Sequence, residues 1–331
     1  MKRTLLAATA LLTLGTALAQ TKTLTVYSGR GKGLVDPIVQ QFERDTGIKV
    51  NVRYGTDAAL LAALQEEGAR TSADLFWSNT SGALGTAAQS NLLTPLPKTL
   101  TSKLPAAFTP EANSWVPLTV RFRTLAYNTG KIKGEELPAS VLDLPKMTQL
   151  KGRIGWTPTY SSFQDFIGAM IALKGEAATR AWIAGMKALE PKSYAASNTA
   201  MMEGIRGGEI DLALTNHYYI QRFVKSGAPI GTHYFAPGDP GSLALVTGAG
   251  VLKASKNTPE ALRLVRYLLD SKAQQFFTGE LFEYPVSGNT ILPSTLLPFQ
   301  DAVNRSPKID QEKLGARLED ALKLLREAGL L

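Results

Sequence analysis

The run Glu209-Ile-Asp-Leu-Ala-Leu214 leads directly into Thr215-Asn216-His217-Tyr218-Tyr219-Ile220, and then into apolar residues at helical spacing, Ile220, Phe223 and Val224. The first piece reads as a strand and the last as a helix, so two adjacent tyrosines fall where one gives way to the other. Inside a strand, neighbouring side chains oppose each other, and inside a helix they diverge by about 100°. At the junction both rings can turn toward one cleft. Read alone, the pair leaves core packing and a binding site equally open.

Upstream the same punctuation recurs. Thr23-Leu-Thr-Val-Tyr27 is a strand ending at the glycine-rich turn Ser28-Gly-Arg-Gly-Lys-Gly33. A helix follows with Leu34, Val35, Ile38, Val39 and Phe42 on one face and Gly47 as its stop. Ile48 to Tyr54 is a second strand, Thr56-Asp57 starts a second helix and Ala73-Asp-Leu-Phe-Trp77 is a third strand. This βαβαβ order predicts an α/β fold with a parallel sheet covered by helices. A second block holds the strand Gly152–Trp156, the turn Thr157–Ser162 with Tyr160 in it, and a helix striped by Phe163, Phe166, Ile167, Met170 and Ile171. Tyr27, Tyr160 and Tyr218 thus all sit near the carboxyl ends of strands, where open α/β sheets place ligands.

Trp115 to Tyr127 is a long extended run that can cross between two lobes, with Arg121 and Arg123 on one face. Gly238 to Leu252 reads as a returning strand, and Gln311 to Ala328 as one amphipathic tail helix. The turn Gly29–Gly33 has GxGxG spacing, which matches neither a dinucleotide fingerprint nor a P-loop. A strand-to-helix loop is nevertheless a natural anion site, and Arg30 can reinforce it.

The 331 residues begin with Met1-Lys2-Arg3, an apolar stretch through Leu18 and the small-residue pattern Ala17-Leu18-Ala19. This predicts a signal peptide over 1–19, cleaved after Ala19, and an exported, periplasmic or cell-envelope protein. The sequence has no cysteine, which excludes thiolate metal sites, and only two histidines, His217 and His233, which disfavours a multi-histidine zinc site. The net charge is +8; without Lys2 and Arg3 it is 34 basic against 28 acidic residues, or +6, with no basic run longer than two. Scattered charge on an exported chain disfavours nucleic acid and suits arginines that hold a small anion. GxSxG, HExxH and EF-hand patterns are absent, and His217 has no triad partner nearby in sequence. The reading is of a solute-binding protein, not an enzyme.

A group of phenols suits a hard, highly charged cation. Free tyrosine ionises near pH ~10, and a trivalent ion makes phenolate competent near neutral pH. Three phenolates neutralise Fe³⁺ and leave coordination sites for an oxyanion, which Arg30 and Arg121 can hold.

These residues resemble the periplasmic ferric-ion-binding proteins of bacterial ABC iron uptake. The likeness is carried by Leu24-Thr-Val-Tyr-Ser-Gly-Arg30, Ser72-Ala-Asp-Leu-Phe-Trp-Ser78, Arg121-Phe-Arg123, Leu173-Lys-Gly-Glu-Ala-Ala178, Asn216-His-Tyr-Tyr219 and Glu283-Tyr-Pro285. The resemblance implies a two-lobed type II periplasmic-binding-protein fold, each lobe a mixed, mostly parallel sheet flanked by helices, with two crossing strands as hinge. The implied lobes are 20–121 with 245–298, and 122–244 with 299–331. By position, Tyr218 and Tyr219 match the iron ligands, Tyr160 a turn that supplies a third, Arg121 the anchor of a carbonate or bicarbonate synergistic anion, and Arg30 a second anion contact. Asn198, Tyr27, Asn79 and Asn216 are placed around the cleft. Gly31 and Lys32 stand where some subclasses have histidine or tyrosine, and Asn79 where one has glutamate. These departures favour a tyrosine-only site and leave room for an oxyanion or small anionic organic solute as cargo. A monomer that delivers to an ABC permease is the implied state.

Overall fold

The computed structural model describes residues 22–331, so the expected leader lies outside the described residues. Ten strands are present: β1 Thr23–Ser28, β2 Lys49–Tyr54, β3 Leu75–Ser78, β4 Val116–Asn128, β5 Ile154–Trp156, β6 Lys192–Ser193, β7 Leu212–Asn216, β8 Ile230–His233, β9 Ala244–Val251 and β10 Tyr284–Pro285. Their order is β2-β1-β3-β9-β4-β7-β5-β6, with β8 and β10 also paired to β4.

The expected parallel block is found: β1 pairs in parallel with both β2 and β3. Helix Lys32–Thr46 connects β1 to β2, burying Leu34, Val35, Ile38, Val39 and Phe42. It stops at Gly47, whose φ of 73° lets its N–H reach the Glu43 carbonyl. Thr56 caps the next helix, Asp57–Glu67, by accepting from the Ala59 N–H. In the other half, β5 pairs in parallel with β6 and β7, while helix Ser161–Lys174 buries Phe163, Phe166, Ile167 and Met170. Each such side chain contributes roughly 1.5–3 kcal/mol by leaving water.

Two strands join the halves. β4 runs antiparallel to β9 from Val116 to Phe122, then to β7 from Arg123 to Tyr127. The switch of partner falls between Phe122 and Arg123, where the Arg123 N–H donates to Leu243 just ahead of β9. β9 begins at Ala244 and not at Gly238, because Asp239 accepts from the Gly241 N–H and folds Pro240–Ser242 into a helical turn.

The tail also differs from expectation. It is two helices, Gln311–Ala316 and Leu318–Glu327, broken at Arg317. The first lies against helix Ser81–Gln89 and the second against helix Ser161–Lys174. Upstream, helix Phe299–Arg305 packs beside the first half of the sheet, with the Phe299 ring 5.3 Å from Tyr284 and 6.4 Å from Phe108.

Candidate functional site

Strand β7 ends at Asn216 in extended backbone, and helix His217–Lys225 starts at the next residue. That sharp change turns both following rings the same way: Tyr218 and Tyr219 lie 4.2 Å apart, centroid to centroid, at 33°. Tyr160 caps helix Ser161–Lys174 in extended conformation, and its hydroxyl oxygen is 3.1 Å from that of Tyr219. The Tyr218 hydroxyl is buried against both, close enough to interact with each but without a well-formed hydrogen bond. Burial, and the neighbouring phenols, push the Tyr160 and Tyr219 hydroxyls well above the ordinary tyrosine value. Without a cation Tyr160 and Tyr219 stay neutral phenols, and a buried hydroxyl without a well-formed bond carries a desolvation cost.

Two fully buried arginines face this cluster from β4. Two residues apart on one face, they reach to opposite halves of the molecule. Arg121 donates from Nη1 to the Asn79 side-chain carbonyl at 2.9 Å and from Nη2 to the Asn79 backbone carbonyl, while its Nε has no partner. Its guanidinium carbon stands 5.9 Å from the Tyr218 ring centre. Arg123 donates to the Asn216 side chain at 3.2 Å and the Leu214 carbonyl at 3.1 Å. Burial first, and then Arg121, lower its pKa to about 9, so it remains charged at neutral pH. Their direct hydrogen bonds go to neutral carbonyls, and no carboxylate is hydrogen-bonded to either guanidinium, which leaves the site attractive to anionic groups.

The other expected residues divide. Asn79 bridges the halves: its side-chain N–H donates to Ser161 at 2.7 Å. Asn216 donates to Ser162 at 3.1 Å, and Asn198 accepts from Thr157 and Thr215 while its own amide nitrogen is buried and unpartnered. Arg30 and Tyr27 depart from expectation. The Arg30 guanidinium makes a bidentate pair with the buried carboxylate of Glu283, at 2.7 and 3.1 Å, and a further bond to Thr247. Its charge is already neutralised, so only its unpartnered Nε is left for another group. Tyr27 is committed elsewhere, because its hydroxyl donates to Glu67 and accepts from Arg53.

Beside Tyr160, a cavity of about 220 Å³ opens between Arg30, Lys32, Tyr54, Asp57 and Ser161. Arg222 was missed by the sequence reading. One turn beyond the tyrosine pair, its guanidinium lies 5.0 and 5.6 Å from the Tyr218 and Tyr219 ring centres, with one nitrogen buried and unpartnered. Its i+3/i+4 spacing was the available signal. His217 is not poised as a base: its Nδ1 accepts from the Phe122 N–H and its Nε2 meets the Phe282 carbonyl at 2.8 Å. Among the described residues no three His, Cys, Asp or Glu side chains gather to hold a metal.

Residues 27–275 match the family model of the bacterial extracellular solute-binding proteins. The chain belongs to that family. This solute-binding protein is 34% identical to the major ferric iron-binding protein of Neisseria meningitidis over 93% of each chain. It superposes on the iron-bound HitA structure from Pseudomonas aeruginosa with a TM-score of 0.87 at 34% identity, covering 93% of this chain and all of that one. A Trichodesmium protein solved with iron and citrate is similar at TM-score 0.74 and 26% identity, over 93% of this chain and all of that one. The fold is the two-lobed type II binding-protein fold, with β4 and β9 crossing between lobes.

Proposed function

We propose that this solute-binding protein captures Fe³⁺ between its lobes with Tyr160, Tyr218 and Tyr219 as phenolates, and delivers it to an ABC permease. The single observation that carries the reading is the convergence of three phenol oxygens in one cluster, that of Tyr218 buried without a well-formed hydrogen bond. A trivalent cation offsets the cost of ionising them, and three phenolates cancel its charge. The remaining coordination is filled by carbonate or bicarbonate held by Arg121, whose free Nε is buried and whose guanidinium stands against the Tyr218 ring. Arg30, tied to Glu283, serves more as a fixed wall than as a second anion clamp. Asn198, Asn216 and Asn79 position the ligand-bearing junctions. The ferric-binding names of the relatives support the cargo assignment, and the citrate seen with the Trichodesmium protein marks the anion as the more variable part.

We place the lobes at 20–121 with 245–305 and 122–244 with 306–331, moving the later crossing past Phe299–Arg305 because of its packing on Phe108 and Tyr284. The mature protein starts after Ala19 and works as a periplasmic monomer. Diffraction at the iron absorption edge from crystals grown with Fe³⁺ and bicarbonate tests the assignment. An anomalous peak between the three hydroxyls is expected; density for an anion alone at Arg121 would assign the cleft to an anionic solute.

A further inference from the structure

Helix Ser161–Lys174 is rooted in the core of the second lobe, yet one of its residues leaves that core. The Asp165 carboxyl comes up against Gly82 and Thr80, whose hydroxyl donates to Asp57 at 3.4 Å, at the start of helix Ser81–Gln89 on the first lobe. Thr80 stands at the cap position of that nine-residue helix but makes no side-chain cap of its own. Approach is close enough that a Cβ on Gly82 would stand 2.5 Å from the Asp165 Oδ1. Asp165 is 2% exposed, and its Oδ2 has no partner. Next to it, Asn79 donates to Ser161, and Gly315 of the tail presses on the backbone of Gly82 and Gly85.

We propose that Asp165 is a positioning residue for cargo capture: it caps helix Ser81–Gln89 from across the cleft and holds the lobes closed independently of the tyrosines. The proposal rests on the lobes opening and closing, not on the cargo being iron. A helix start offers free N–H groups, which a carboxyl oxygen can accept from in either protonation state. When the lobes part, both sides of the contact are returned to water.

The contact has a pH dependence. Burial, reinforced by Asp57, pushes the Asp165 carboxyl up to about 7 against the opposing effects of Thr80, Gly82 and Arg121. Asp57 accepts from the Asn79 and Thr80 N–H groups, and Arg121 faces the pair from β4. Arg317, against the same helix at Gly168, is turned to Asp320. In open lobes Asp165 regains an ordinary value near 3.8. The closed form therefore holds the proton more tightly, and closure gains as pH falls from about 7 toward 4 and weakens as pH rises. The protonated carboxyl keeps an oxygen able to accept at the helix start. This direction opposes that of the phenolates, whose protonation expels a cation.

Small-angle scattering from the iron-free mature protein at about pH 5 and about pH 8 tests this. At the lower pH the wild type and Asp165→Asn are expected to be compact, while Asp165→Ala and Gly82→Ala each lower the closed-to-open ratio about tenfold. At the higher pH only Asp165→Asn stays compact. Gly82→Ala serves where Asp165→Ala fails to fold, because it displaces the carboxyl and leaves it in place chemically. Equal radii for all four proteins at the lower pH, or a flat profile for the wild type, would overturn the proposal. Neither readout requires iron to bind.

Discussion

Tyr218 differs from the other tyrosines near the cleft in having a buried hydroxyl without a well-formed hydrogen bond. A group left in that state is costly unless something absent from the apo chain completes it. Replacing Tyr218, Tyr219 or Tyr160 by Phe is expected to weaken Fe³⁺ binding roughly 100-fold or more each, since even an outer partner of a metal ligand is worth about 10–100-fold. Competition against a chelator measures this; an unchanged affinity for Tyr160→Phe would reduce the set to two phenolates. Glu283 makes a different prediction. Its carboxylate is the counter-charge of buried Arg30, so Glu283→Gln should lower stability by about 3–5 kcal/mol in urea unfolding of the iron-free protein. A loss under about 1 kcal/mol would mean that Thr247 suffices. The pair was not legible beforehand because its partners are 253 positions apart and Arg30 looked like a loop arginine free to bind an anion. His217 sets an acid limit. Burial lowers its pKa from 6.5 to about 4, so the unfolded chain binds its proton first. Stability is complete above about pH 6.5 and falls by about 3 kcal/mol as pH drops to about 4. Unfolding midpoints across that range in the wild type and His217→Gln check the contribution.

At the scale of elements, periodicity was a good guide where one face met one neighbour. The helix after Gly31, the helix after Tyr160 and the strand-to-helix step at Asn216 all follow the apolar spacing and the turn residues. It misled where a single pattern serves two surfaces. The tail keeps its leucine stripe through Arg317, yet it is two helices, the first against helices of both lobes and the second against helix Ser161–Lys174. Strand β4 was recognisable as a crossing segment by its length, but the change of partner at Phe122–Arg123 depends on β9 and β7, which local pattern does not identify. In β9, Gly248 permits that pairing: a Cβ there would lie 2.7 Å from the Val116 carbonyl oxygen. Gly248→Ala should cost about 1–3 kcal/mol by forcing the crossing strands apart. A melting temperature equal to wild type would show that the strands yield without strain.

At the scale of the whole molecule, the proposed capture couples ionisation of three phenols in the cleft to the movement of two lobes. Neutral phenols crowd together when no cation is bound, buried arginines wait on neutral carbonyls, and Asn79 and Asp165 span the gap. Capture of Fe³⁺ releases phenolic protons, so affinity should fall as pH drops, by up to about tenfold per released proton per pH unit. A pH-independent affinity would exclude phenolate binding. The most direct measurement is the visible spectrum of the iron-free protein after addition of Fe³⁺ with bicarbonate. A phenolate-to-iron charge-transfer band is expected in the wild type and should vanish in Tyr218→Phe/Tyr219→Phe; a colourless wild-type protein would contradict tyrosinate capture of iron.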